Sequence, residues 1–209
     1  PLTGFNEEKG VNYPVLFTGM TPVIWNGEEF TEINEDDTAW YDYEEKRWAN
    51  ARTQDGSYWV WIPRYAYKIT SGYHQSSTGT IDVKFLQGKT NQAYDETTIE
   101  TTGYNPGVKD TSMHHFLHPA FHDELGFWVA KYEPTAAEGI SSETELCNED
   151  DNTYDKTPLI VPNETAWRCI NVSNAYKVSL AMKDNPIYGW YSNEVDTHMM
   201  TNHEWGAVA

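Results

Sequence analysis

The sequence predicts a mixed α+β fold, in which hairpins and a twisted antiparallel sheet combine with two helices and long loops. Three stretches carry this prediction. Residues 58–69, YWVWIPRYAYKI, are dense in aromatic and β-branched side chains and indicate a strand covered on both faces. Residues 23–30 place Asn26-Gly27 between apolar runs, which indicates a hairpin with a two-residue turn. Residues 171–183 have apolar positions three and four apart, which indicates a helix.

The strand at 58–69 is expected to anchor the sheet, with Trp61 in the core. Pro63 has no amide hydrogen to donate, so we expect an interruption of the strand there. Arg64 follows directly and lies beside an aromatic wall, where we expect it to pair with a neighbouring carboxylate.

Two further segments are predicted to be β-structure. Residues 40–52 carry aromatic flanks around a charged centre, a pattern that fits a hairpin or a short helix, with the flanks favouring the hairpin. In residues 81–86, IDVKFL, the apolar Ile81, Val83 and Phe85 alternate with other side chains, which predicts a half-buried strand.

Both predicted helices have recognisable ends. The first begins at a cap from Asn171 or Ser173 and stops at Asn185-Pro186. Its predicted apolar stripe consists of Val172, Ala175, Tyr176 and Leu180. The second lies within residues 199–209, with Asn202 as its expected cap.

The domain organisation predicted from the sequence is simple. Residues 1–22 contain repeated Gly and Pro and few apolar pairs, so we expect an extended N-terminal arm that docks on neighbouring copies. Residues 23–209 are expected to form a single domain, whose C-terminal completeness the sequence leaves open.

Composition excludes several classes of partner. The net charge of −18 repels nucleic-acid phosphates and anionic headgroups, so no nucleic-acid partner is expected. No apolar run approaches the roughly 20 residues that cross a bilayer, so no membrane insertion is expected. Cys147 and Cys169 are too few for a disulfide framework and form one bridge or none.

Three blocks of sequence resemble a known family in their order and spacing. They are FWVAKYEPT at 127–135, AWRCINVSNAYKVSLAM at 166–182 and MMTNHEWGAVA at 199–209. They resemble successive blocks of the formylglycine-generating-enzyme (sulfatase-modifying factor) branch of the C-type-lectin-like fold, and VWIPRYAYKI is similar to the opening strand of that domain. The resemblance covers roughly residues 10–209 and implies a C-type-lectin-like fold. The positions that match structural positions of the family are Trp61, Arg64, Lys131, Tyr132, Glu133, Trp167, Glu204 and Trp205.

The resemblance is closer to non-enzymatic versions of the domain, found in phage virion proteins and Gram-positive surface proteins. Formylglycine-generating enzymes carry their active cysteines after the Glu-Trp helix, and neither Cys147 nor Cys169 matches them. We therefore expect no enzyme. Glu133 and Glu204 are expected to be buried carboxylates that tie a strand end to a helix.

The function that the resemblance implies is a virion surface component, such as a head fibre, decoration or tail-associated protein. Its expected partners are other copies of itself, other virion proteins and a host cell-surface glycan or protein, which places it on the virion surface or outside the cell. The alternative is a secreted or pilus-like bacterial adhesion protein. A formylglycine-generating-type oxidase is the third and least supported reading.

Three groups of residues are candidates for ligand or metal binding. Trp190 and Tyr191 follow the first helix and are the aromatic residues expected to be exposed for a ligand. Other tryptophans are alternatives for a sugar-binding platform but are expected in the core, namely Trp25, Trp40, Trp48, Trp59, Trp61, Trp128 and Trp167. The acidic loop 138–155 contains Asp150, Asp151 and Asp155, hard oxygen ligands that make calcium the candidate cofactor. His114, His118 and His122 have helical spacing and are candidate zinc ligands, although Pro119 interrupts the helix and a polar loop is the default interpretation.

Overall fold

The computed structural model describes residues 4–100, 114–137 and 156–209. Strands dominate these residues, and the predicted α+β class is confirmed. In chain order the strands are β1 Phe5–Asn6, β2 Val11–Asn12, β3 Thr21–Trp25, β4 Phe30–Glu32, β5 Asn50–Arg52, β6 Tyr58–Pro63, β7 Tyr65–Ser71, β8 Thr80–Phe85, β9 Ile99–Glu100, β10 His115–Leu117, β11 Gly126–Ala130, β12 Thr135–Ala136 and β13 Pro158–Leu159. The helices are α1 Val172–Ala181 and α2 Asn202–Val208, with 3₁₀ turns at Met182–Asp184 and Pro186–Tyr188.

The chain forms two compact units, each assembled from separate segments. The first unit comprises the described residues within Pro1–Val15, Ile62–Phe127 and Thr201–Ala209, and the second those within Leu16–Trp61 and Trp128–Met200. The boundaries of these units do not coincide with the predicted boundary between residues 22 and 23.

The first unit contains a four-stranded sheet in the order β8-β7-β10-β9. Its strands pair antiparallel except β9 and β10, which are parallel. The predicted interruption of the strand at 58–69 is confirmed, because β6 ends at Pro63 and β7 begins at Tyr65. The two strands belong to different sheets, so the interruption is the point at which the chain changes sheet.

The N-terminal residues of this unit are packed rather than extended. β1 and β2 form an antiparallel hairpin in which Phe5, Val11 and Asn12 are buried. The side chain of Asn12 donates to Gly88 O and Leu125 O and accepts from Gly88 N. The prediction of an extended arm is therefore wrong for residues 4–15, because a buried asparagine and two apolar side chains hold them in place.

Arg64 is buried in the first unit, but its partners differ from those predicted. Its guanidinium donates to Thr90 O, His122 O and Asn91 Oδ1 at 2.7 to 3.1 Å. These acceptors are carbonyl and amide oxygens, so the expected carboxylate pair is wrong. Burial lowers the pKa of Arg64, and the nearby charges of Glu124 and Asp123 act in the opposite direction.

β8 is present as predicted, but its apolar side chains point the other way. Ile81 and Val83 are exposed, whereas Asp82 and Lys84 are half-buried. Lys84 Nζ lies 2.8 Å from Asp95 Oδ2, and His115 Nε2 lies 2.7 Å from Asp82 Oδ2. The half-buried face of β8 therefore carries charged pairs in place of the predicted aliphatic side chains.

The second unit contains a five-stranded sheet in the order β11-β6-β5-β3-β4. Its core includes Trp40 and Trp61, each only 2% exposed, and Trp61 packs against Trp128 with ring centroids 5.3 Å apart. The Tyr43 hydroxyl donates to Trp61 O and is buried, which raises its pKa. The prediction of Trp61 in the core is confirmed.

The segment 40–52 contains the predicted hairpin turn. Asp42 and Arg47 bond through both of their backbone N–H and C=O groups, so residues 43–46 form the turn. The following residues then enter β5. The alternative of a short helix is wrong.

Helix α1 starts where the sequence predicts, because the Asn171 side chain accepts from Asn174 N. The predicted apolar stripe is nevertheless exposed: Val172 is 73% exposed, and Tyr176 and Leu180 are also exposed. The buried positions are Asn174 and Val178, so the orientation of the helix was predicted incorrectly.

Helix α2 also forms, with a different cap. Thr201 Oγ1 accepts from Glu204 N while the Glu204 carboxylate accepts from Thr201 N, a capping box. Thr201 therefore caps the helix instead of Asn202. Trp205, on the same helix, is 66% exposed.

Candidate functional site

Four aromatic side chains form a row on one face of the five-stranded sheet, which we call the aromatic face. Its members are Trp25 on β3, Phe30 on β4, Tyr58 on β6 and Tyr132, two residues after β11. Successive ring centroids are separated by 5.1, 5.0 and 6.2 Å. Trp25 is 54% exposed and the other three are half-buried, so the row is accessible from solvent.

The hairpin between β3 and β4 positions the first two rings. Trp25 lies directly opposite Phe30, so the loop comprises the four residues 26–29 rather than the predicted two. Asn26 Oδ1 accepts from the backbone N–H groups of Glu28 and Glu29, both at 2.9 Å. Gly27 has φ +109°, which favours glycine. The predicted hairpin is confirmed, and its local hydrogen bonds fix the register of the row.

Polar side chains from neighbouring strands border the row. Arg52 lies opposite Tyr58 in the pairing of β5 with β6, and its Nη2 donates to Glu32 Oε1 at 2.6 Å. Asn50 lies two residues before Arg52 and therefore on the same face. Its amide group donates to Trp48 O at 2.7 Å, which leaves Oδ1 as an acceptor.

Lys131 brings a cation into the row. Its Nζ donates to Asn50 Oδ1 at 2.8 Å and lies 5.1 Å from the centroid of Phe30 and 6.0 Å from that of Tyr132. Burial lowers the pKa of Lys131. Burial, and then the neighbouring Tyr58, raise the pKa of Tyr132. The face thus combines one lysine amine with the phenol groups of two tyrosines.

A cleft of about 410 Å³ adjoins the aromatic face, because its lining includes Tyr58 of the row and Arg52, which borders the row. This volume is within the range of small-molecule sites. The loop from β5 to β6 forms one wall, and Asp55 organises it by accepting from the hydroxyls of Thr53 and Ser57 at 2.6 and 2.5 Å. The remaining lining residues are Gly19, Thr21, Gln54, Gly56 and Val161.

The arrangement of rings and polar groups is suited to binding a ligand that has both apolar and hydroxylated surfaces. Aromatic side chains offer apolar area with specific geometry. The nearby amide, guanidinium, carboxylate and ammonium groups offer donors and acceptors that can fix the orientation of a ligand.

The predicted ligand-binding pair is split by the structure. Tyr191 is 61% exposed, as expected. Trp190 is only 8% exposed, stacks on Tyr188 with centroids 4.6 Å apart and donates through Nε1 to Met182 O. The expectation that Trp190 is exposed is therefore wrong, because the loop folds its ring into the core around Ile160.

The residues that the resemblance marks as structural are not equally buried. Trp61 and Arg64 are buried and Trp167 is half-buried. Glu133 is exposed and Glu204 caps its own helix, so the expectation of two buried carboxylates that tie a strand to a helix is wrong. A side chain at a helix N-terminus or strand end can make its hydrogen bonds without burial.

The sequence did not single out Phe30, Asn50, Tyr58 or Lys131 for ligand binding. One signal was available: in β5 and after β11, polar or charged side chains interrupt otherwise apolar segments. That signal identifies an exposed strand face, but it does not show which rings lie beside it.

The metal hypotheses are only partly covered by the described residues. Asp150, Asp151 and Asp155 lie outside them. Within residues 4–100, 114–137 and 156–209, no group of three or more His, Cys, Asp or Glu side chains is arranged to hold a metal ion. His114 and His122 are exposed while His118 is buried, so the equal spacing does not produce one histidine face.

Cys169 is disulfide-bonded, and Cys147 lies outside the described residues. Cys169 is therefore not available as a free thiol.

Comparison with known proteins adds no relative, since no family model, no curated protein and no solved structure matches this chain. Among the helices of the described residues, none has the length and apolar character required to span a bilayer.

Proposed function

We propose that this protein is a non-enzymatic component of a virion surface that binds a host-surface glycan through the aromatic face. The row of four aromatic rings carries the proposal, because it crosses the sheet and remains accessible to solvent. Exposed aromatic groups beside polar ones are typical of recognition surfaces.

A glycan fits this face for a chemical reason. Each sugar ring has an apolar C–H surface that can pack on an aromatic ring, and hydroxyl groups around its edge. The hydroxyl groups can bond to Asn50, Arg52 and Glu32, which border the row. The adjoining cleft extends the same surface and can accept a terminal sugar or a branch.

The C-type-lectin-like fold, the virion location and assembly with other copies and other virion proteins belong to the same proposal. They rest on the resemblance of the three sequence blocks, and the mixed α+β architecture is compatible with such a scaffold. A fold hosts many functions, so the proposed binding depends on the aromatic face itself.

A glycan array tests the binding proposal directly. Wild-type protein is expected to bind a subset of immobilised bacterial surface glycans, and Trp25→Ala and Phe30→Ala are expected to weaken this binding by about tenfold or more, as for aromatic residues at interface hot spots. Trp205→Ala is the matched control, because Trp205 is also exposed but lies on α2 in the first unit.

Thermal unfolding of each variant verifies that it is folded. Binding by both face variants at the wild-type level would contradict the proposal, as would recognition of a host protein without any glycan.

A further inference from the structure

Lys131 is a half-buried cation that contacts rings and an amide rather than a carboxylate. In the described part of the chain, its ammonium group hydrogen-bonds Asn50 Oδ1 and lies near the rings of Phe30 and Tyr132. An ammonium group has three donors, and this bond uses one of them. Among the described residues, Nζ has no second hydrogen-bond acceptor.

Other cations of the protein are paired differently. Arg52 bonds to the Glu32 carboxylate, and Lys84 bonds to that of Asp95. Arg64 directs its guanidinium at three oxygen acceptors. The chain contains 32 Asp and Glu residues against 14 Lys and Arg residues, so carboxylates are abundant. Within the described residues, Lys131 therefore differs from Arg52 and Lys84 in having no carboxylate partner, and from Arg64 in having one side-chain hydrogen-bond acceptor instead of three.

The ammonium group lies close enough to the row of rings to contact a ligand that is bound there. Its Nζ is 5.1 Å from the Phe30 centroid, and Phe30 lies between Trp25 and Tyr58 in the row. A sugar packed on Phe30 or Tyr132 would bring its substituents within reach of Nζ. A negatively charged substituent would supply the anionic acceptor that Nζ lacks among the described residues.

We infer that the glycan is an acidic carbohydrate polymer, whose carboxylate or phosphodiester groups are bound by Lys131. This inference rests on the proposed glycan-binding function and specifies the chemical class of its ligand. Hydrogen bonds to charged groups are stronger than those between neutral groups, so a single such contact discriminates between charged and neutral sugars.

The net charge of −18 opposes the approach of a polyanion but does not prevent local recognition. At physiological ionic strength, exposed charges more than about 8 Å apart are largely screened, whereas a contact in a partly desolvated site is screened less. Binding is therefore expected to persist at physiological salt and to weaken at very low salt, where the whole-chain repulsion is strongest.

The experiment compares matched charged and neutral polymers by calorimetry at physiological salt. Polygalacturonate and its methyl ester share a sugar backbone and differ in the carboxylate, and a glycerol-phosphate teichoic acid tests the phosphodiester. Wild-type protein is expected to bind one of the two acidic polymers about tenfold more tightly than the neutral ester, the effect of a charged hydrogen bond.

Three variants test whether Lys131 is the residue that causes the preference for acidic over neutral polymers. Lys131→Gln is expected to abolish the preference while retaining residual binding to the neutral ester, and Lys131→Arg to retain it. Lys89→Gln removes an exposed lysine elsewhere in the chain and is expected to behave as wild type.

The outcomes separate the two proposals. Equal wild-type binding to acidic and neutral polymers, or an unchanged preference in Lys131→Gln, would overturn the acidic-ligand inference and leave glycan binding in place. Absence of wild-type binding both to these polymers and to the glycan array would overturn the proposed function and the inference with it.

Discussion

The two faces of the five-stranded sheet both carry tryptophan, yet they differ in what covers the rings. Trp61 is 2% exposed and packs against Trp128, whereas Trp25 on the opposite face is 54% exposed and packs edge-on against Phe30. The same residue type thus contributes core on one face and accessible surface on the other. The environment of each ring, rather than the abundance of aromatic residues, determines whether it belongs to the core or to the accessible surface.

The largest expected loss of stability follows from a substitution on the covered face of the five-stranded sheet. Replacing Trp61 with Ala removes a buried ring and leaves a cavity, so the free energy of unfolding should fall by about 3–5 kcal/mol. Denaturant unfolding followed by circular dichroism measures the change.

Trp61→Phe is the graded control for this substitution. Trp61 Nε1 is buried without a hydrogen-bond partner in the described structure, so Phe loses ring volume but no hydrogen bond, and it should cost less than Ala. Unchanged unfolding of Trp61→Ala would show that this face is not the core of the sheet.

The same contrast between buried and exposed residues of one type extends to histidine in the first unit. His118 is 6% exposed, packs against Tyr65, Tyr67 and Phe121, and accepts from Ala120 N through Nδ1. Burial, assisted by nearby His203, lowers its pKa from 6.5 to about 4. His122, by comparison, is exposed.

This lowered pKa makes stability depend on pH. The unfolded chain binds a proton as pH falls through about 6.5 while the folded His118 remains neutral, so the stabilisation is present above that pH and is lost towards pH 4. We expect a loss of about 2 kcal/mol between about pH 7 and about pH 5. His118→Gln should remove most of this dependence, and His122→Gln should retain it. Equal pH slopes for the two variants, measured by denaturant unfolding, would contradict this assignment.

The smallest expected effect on stability is on the aromatic face. Trp25→Ala should change the free energy of unfolding by no more than about 1 kcal/mol, because the ring is largely solvated and its main contact is with Phe30. Thermal unfolding of Trp25→Ala and Trp61→Ala under the same conditions compares the two losses of stability. A loss similar to that of Trp61→Ala would place Trp25 in the core and remove the distinction between the faces.

Local sequence signals predicted the elements of this protein better than their exposure. Asn26-Gly27 indicated a hairpin and Pro63 an interruption, because turn preference and the missing proline donor act within a few residues. In β8 and α1 the apolar periodicity was present, but Ile81, Val172 and Tyr176 are exposed. Periodicity identifies two faces and cannot identify which one another segment will cover.

The candidate site shows the same division. The sequence marks Lys131 only as a structural position of the resembled family and does not single out Phe30. The two side chains meet because β4 and the residue after β11 converge on Asn50 and Tyr58. The position of Trp190 after α1 predicts an exposed loop residue, but its ring stacks on Tyr188. Such contacts between distant segments have no counterpart in local composition.

Composition and hydrogen bonds between near neighbours are sufficient to predict the α+β class, the acidic charge, the β3–β4 hairpin and a start of α1 at Asn171 or Ser173. They do not predict which aromatic rings are buried, which acceptors Arg64 uses, which of the two residues caps α1 or where the aromatic face lies. Side-chain burial and electrostatic environment arise from segments far apart in the chain, so they become defined only when those segments pack together.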